Sequence, residues 1–207
     1  MATEPARSGP PLVHDTLGKL PAGQSKPSAN PIAARINNFL AAMNGAGDDA
    51  QVRYAAALDA LRGEPEQSVL ALAQAEAVCN RTDYPLRWAL VYAAAQMNHD
   101  AALPYLRNLI LTPIPPEQSS APHSFSTVGK ETVLRTTAIE GVGRLAVQGN
   151  EAALPALFEF LSIASISVRR ASVQAILAVN PKLRKKAAEA LPADHRFLLE
   201  HPGFTIA

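Results

Sequence analysis

Ser165-Ile166-Ser167-Val168-Arg169 decides the fold, because three other stretches of the chain read the same way. They are Asp49-Ala50-Gln51-Val52-Arg53, Asp83-Tyr84-Pro85-Leu86-Arg87 and Glu131-Thr132-Val133-Leu134-Arg135. Each sets Asp, Glu or Ser three residues before Val or Leu, with Arg next. The arginines lie 34, 48 and 34 residues apart, so the middle gap is one unit plus 14. Self-similarity at a fixed period marks a repeat architecture in which each unit buries its face against its neighbours.

Within each unit the chain predicts two helices. The acidic residue or Ser is placed to cap the free N–H groups of a first turn. An apolar stripe follows, as in Leu86, Ala89, Leu90 and Ala93, or Val168, Ala171, Val173 and Ile176. Ala101-Ala102-Leu103-Pro104-Tyr105-Leu106 matches Ala152-Ala153-Leu154-Pro155-Ala156-Leu157, and proline is tolerated only in a first turn. These stretches start the second helices of two units, with Asp100 and Asn150 upstream as caps. Asn30-Pro31 opens an earlier helix whose Ile32, Ile36, Phe39, Leu40 and Met43 share a face.

The expected organisation is therefore all-α. A Pro-rich disordered tail spans 1–29, a capping helix 30–44, and repeats 48–80, 82–111, 130–162 and 164–192; a terminal helix at 193–200 completes a solenoid over 30–200. The excess residues form an inserted loop at 112–129. In the tail, Pro11 to Leu20 is the one stretch with apolar groups for docking, and the alternative is a solvated end.

The pattern Val-Arg-x-Ala-x-x-x-Ala followed by Ala-Leu-Pro-x-Leu resembles the HEAT repeat, in its short form named after phycobilisome lyases. Val168 to Leu177 is the closest match, Leu86 to Ala93 and Leu134 to Gly141 follow it, and Val52 to Ala57 matches at its start. The resemblance implies a right-handed α-solenoid of about four helical hairpins. A period of 34 also fits tetratricopeptide repeats, but Trp88 is followed by Ala89-Leu90-Val91-Tyr92 rather than by that family's Leu-Gly core. In HEAT-like repeats the arginine pairs with an acid of its own or the next repeat. Arg53, Arg87, Arg135 and Arg169 are thus read as a structural ladder, with Asp49, Asp83 and Glu131 available as partners. The rival reading is an anion-binding column.

Composition narrows function. Lys and Arg number 19 against 18 Asp and Glu, a net charge of +1, which argues against a dedicated nucleic-acid binder. The one cysteine, Cys79, excludes an internal disulfide and fits a reducing compartment. With no apolar h-region at the start and no run long enough for a bilayer, the expectation is a cytoplasmic protein without a membrane anchor. The histidines at 14, 99, 123, 195 and 201 are scattered, so no metal site, catalytic group or cofactor is expected. Cys79 is read as an inert thiol, Gly141-Val142-Gly143 as close helix packing, and the basic residues at 182, 184, 185, 186 and 196 as a solvated end.

The reading is a non-enzymatic scaffold or adaptor for a protein or peptide. The resemblance places partners on a concave face lined by second helices. There Leu103, Leu106, Ile110, Leu154, Leu157 and Leu161 turn inward, and Tyr105, Asn108 and Leu109 face outward with Ala156, Glu159 and Phe160. The groove is assigned to Tyr105, Arg107, Asn108, Glu159 and Phe160, with His123 and Phe125 of the loop beside it; Phe160 packing against the next repeat is the alternative. The other classes are a chromophore chaperone resembling the bilin lyases and a HEAT-like nucleic-acid binder.

Overall fold

A computed structural model describes residues 30–123 and 125–200; the tail 1–29 lies outside them, as does His201-Pro202-Gly203, a sequence expected to end the terminal helix. The described residues are helical, with no strand among them. The helices are α1 (Pro31–Met43), α2 (Ala50–Arg62), α3 (Pro65–Val78), α4 (Tyr84–Gln96), α5 (Ala102–Leu111), α6 (Thr127–Val147), α7 (Ala153–Glu159), α8 (Ile166–Val179) and α9 (Arg184–Ala190). Short 3-10 segments follow at Phe160–Ser162, Pro181–Leu183 and Ala193–Leu199.

Local chemistry accounts for the starts. Asn30 Oδ1 accepts from the Ile32 amide at 3.0 Å, and Pro31 occupies the first helical position, where its missing N–H costs nothing. Asp83 Oδ1 accepts from Leu86 N at 3.2 Å to open α4, and Ser165 Oγ from Val168 N at 3.5 Å to open α8. Asp49 makes no such bond at α2. Asn150 Oδ1 takes the amides of Ala152 and Ala153 at 3.0 and 2.9 Å. Asp100 does not cap α5; its carboxylate accepts from Asn150 Nδ2 at 2.6 Å and so joins two helix starts.

The third unit departs from the sequence expectation. α6 begins at Thr127, inside the segment expected as loop, because Ser126 Oγ accepts from Gly129 N at 2.9 Å and caps it there. Glu131 therefore lies one turn inside the helix, not at its cap.

Packing runs along the chain. α1 lies on α2 and α3, α3 on α4, α4 and α5 on α6, and α6 on α7 and α8, which α9 and the last 3-10 segment then cover. α6 is buried on several sides, including Leu134, Ala138, Ile139, Val142 and Leu145. Its glycines let both neighbours approach. A Cβ on Gly141 would lie 2.8 Å from Ala95 Cβ of α4, and one on Gly143 would lie 3.1 Å from Ala175 Cβ of α8. One apolar core, from Phe39 through Leu72, Leu106 and Ile139 to Ile176, follows the whole series.

Candidate functional site

Three of these helices bring a row of charges together beneath a pocket. From α3, Glu76 Oε1 accepts from Arg87 Nε of α4 at 2.8 Å and from Arg81 Nη1 at 3.2 Å. Arg87 Nη1 donates to Glu131 Oε1 of α6, and Glu131 Oε2 accepts from Arg135 Nη1 at 2.6 Å. Arg135 then holds the carbonyls of Thr112 and Pro113, at 2.8 and 3.2 Å from its Nη2. The order is Arg81, Glu76, Arg87, Glu131, Arg135, alternating in sign. All but Arg81 are buried, so each of these charges depends on the next for the solvation it has lost.

The electrostatics follow from that geometry. Burial works against the Glu131 carboxylate, but hydrogen bonds from Arg87 and Arg135 outweigh it and hold the group below its ordinary value. Burial would likewise ease Arg87 toward losing its proton, and its bonds to Glu131 and Glu76 push it the other way.

The pocket above the row has a volume of about 620 Å³. Its walls come from α3, from α5 (Tyr105, Asn108), and from the connection after α5 (Thr112, Pro113, Pro115, Gln118). Tyr105 is half-buried and its Oη has no hydrogen-bond partner among the described residues; burial pushes this hydroxyl well above its usual range.

Glu117 fixes the connection at its far end. Its exposed carboxylate accepts from the amides of Ser119 and Thr127 at 2.8 and 2.9 Å and from Ser126 Oγ at 2.6 Å. Those bonds, at a helix N-terminus whose unpaired amides favour an anion, hold Glu117 far below the carboxylate range. Arg135 at one end and Glu117 at the other thus fasten the segment 112–117. Sequence reading passed over Glu117; the available signal was an acid in a Pro- and Ser-rich stretch just before a Ser-capped helix.

The residues singled out from sequence divide. Tyr105 and Asn108 line the pocket. Arg107 and Glu159 are exposed and bind each other, in two parallel bonds of 2.8 and 2.7 Å, tying α5 to α7. Phe160 is corrected: it is 0% exposed and belongs to the core, as do Leu109 and Ala156, also expected outside. The face expected to be open is a packed one: α5 lies on α6, and α7 with the turn after it lies on α8. Ala156 and Phe160, four apart, lie on one helix face, and that face packs inward, with the Phe160–Ser162 turn seated against α8. His123 and Phe125 are exposed and do not line the pocket; Phe125 lies 5.5 Å from Lys130 Nζ.

Of the four arginines only Arg87 and Arg135 share the buried row. Asp83 is no partner of Arg87, being occupied as a cap; Glu76 takes that place. Arg53 pairs with Asp49 on the surface and donates to the Ala46 carbonyl at 2.9 Å. Among the described residues Arg169 meets no acid: its Nε donates to the Leu161 carbonyl at 3.0 Å, and Nη1 meets His195 Nδ1.

Elsewhere, Trp88 is 37% exposed, stacks on Tyr92 with ring centres 5.2 Å apart, and donates to Thr137 Oγ1 at 3.2 Å. Burial raises the pKa of the Cys79 thiol, so little of it is thiolate at neutral pH. Arg184 and Arg196 of the basic end cap the carbonyls of Leu199 and Ala188. Among the described residues no helix is long and apolar enough to cross a membrane. No family model, curated protein or solved structure matches the chain.

Proposed function

We propose that the protein is a non-enzymatic adaptor, a short HEAT-like right-handed solenoid that docks a cytoplasmic protein partner in the pocket between α3, α5 and the 112–117 segment. The pocket itself carries this reading: about 620 Å³, walled by second helices of successive hairpins. It has exposed polar groups at its mouth and a rigid charge row as its floor. Clefts of this size are where proteins hold ligands. The neighbour-to-neighbour packing of the helices supports the solenoid.

Asn108 is exposed at the pocket wall, so Asn108→Arg fills the opening without touching the core. Affinity purification with the wild-type chain and this variant, read by quantitative mass spectrometry, tests the reading. A partner retained by the wild type and lost by an Asn108→Arg chain with unchanged melting is the expected result. Equal retention by both, or no specific partner, would overturn it.

A further inference from the structure

The charged side chains lining the pocket do not balance: Arg81, Arg87 and Arg135 stand against Glu76 and Glu131. Where the surplus sits follows from the hydrogen bonds. Arg87 is held by Glu76, Glu131 and the Arg81 carbonyl, and Arg135 by Glu131, Thr112 and Pro113. Among the described residues Arg81 has only Glu76 Oε1 at 3.2 Å, an oxygen that lies closer to Arg87, and its side chain is 64% exposed. The row thus ends, on its open side, in a guanidinium with donors to spare. Lining the same pocket, the side-chain amides of Asn108 and Gln118 are exposed and form no hydrogen bond among the described residues.

We propose that the pocket takes an extended peptide segment carrying one carboxylate, which seats on Arg81 while the segment's main chain pairs with Asn108 and Gln118. Each side-chain amide offers both donors and an acceptor, the complement of a peptide unit. A helical segment has already paired its own main-chain groups and has nothing to give these amides. A nucleic-acid backbone needs several uncompensated cations, and this pocket offers one. A guanidinium and a carboxylate form the stronger, charge-assisted type of hydrogen bond, so Arg81 fixes the position of the segment and the amides its direction. The carboxylate comes from an Asp or Glu side chain or from a chain terminus. This inference rests on the docking reading above.

The test uses the full chain and positional-scanning pools of fluorescein-labelled octapeptides, with free-acid and amidated C-termini, followed by fluorescence anisotropy. Pools with Asp or Glu fixed at one position, or free-acid pools over amidated ones, are expected to bind tightest. Acid preference that survives amidation identifies a side chain; preference lost with amidation identifies a terminus. Arg81→Glu is expected to move the preference to Lys or Arg, and Asn108→Ala with Gln118→Ala to weaken every bound pool about tenfold. These side chains are exposed, and unchanged circular dichroism confirms the fold of each variant. Binding indifferent to charge, or unaltered by either variant, would overturn the proposal, as would the absence of any binding pool. A protein partner lost by Asn108→Arg while no pool binds would leave the docking reading in place and remove only this one.

Discussion

Arg87 and Glu131 are 44 residues apart in sequence and bonded to each other inside the protein, with Glu131 turning its second oxygen to Arg135. A carboxylate that serves two buried arginines on two helices is a costly group to lose. Glu131→Ala leaves both cations without their shared partner and should destabilise the fold by about 3–5 kcal/mol. Arg107→Ala, which breaks an exposed pair, should cost less than about 1 kcal/mol. Urea denaturation of the two variants checks the contrast, and equal losses would refute the distinction.

The same carboxylate gives the fold a defined acid sensitivity. Glu131 has a lower pKa in the folded chain than the ordinary 4.5, so its contribution is complete above that value and fades as pH falls toward the folded pKa. Stability measured from pH 6 down to pH 3 should decline. The slope should be shallower in Glu131→Gln, assayed under conditions where that variant is folded. An unchanged slope would mean that other groups govern acid unfolding.

Gly141→Ala should destabilise by about 1–3 kcal/mol, because the new methyl meets Ala95 Cβ and Cα at 2.8 and 2.9 Å and one helix must shift. Gly63→Ala is the opposite case. Its backbone is already right-handed helical and its new methyl would find the Ala60 carbonyl at an ordinary 3.6 Å. It should gain about 0.4–1 kcal/mol. Thermal melts of the pair decide both signs.

Phe160→Ala should cost about 3–5 kcal/mol, as expected for emptying a filled core site. A loss below about 1 kcal/mol would return Phe160 to the surface.

Glu117→Ala should speed amide hydrogen exchange at Ser119 and Thr127, whose N–H groups its carboxylate holds, and leave exchange in α4 and α8 unchanged. Exchange unaltered at those two amides would show that the connection is fixed by other contacts.

Much of the helical pattern was legible because caps and stripes are local chemistry. Asn30-Pro31, Ser165 and the two prolines Pro104 and Pro155 mark starts wherever they occur, and the structure is all-helical with those starts in place. The site was harder to read. Glu76 falls on α3 outside the repeated motif, so nothing in the spacing marks it as the partner of Arg87 rather than Asp83. Phe160 is an apolar side chain that a periodic pattern places on a face but cannot mark as covered; the cover is α8, which comes from packing. The pocket combines α3, α5 and a connection that no period describes. Its walls are a product of packing, not of pattern.

The buried charge row also carries information about order. Hairpins built alike can stack in the wrong sequence, and apolar stripes of similar shape do little to prevent it. In the matching sequence motif, Ser165, the cap of α8, stands where Glu131 does. Were α8 to settle against α4 in place of α6, Arg87 would face a hydroxyl where it needs a carboxylate, leaving part of its charge unmatched in the core. A mismatch of that kind costs several kcal/mol, a large fraction of the stability of a domain this size. The carboxylate at Glu131 thus favours α6 over α8 as the neighbour of α4.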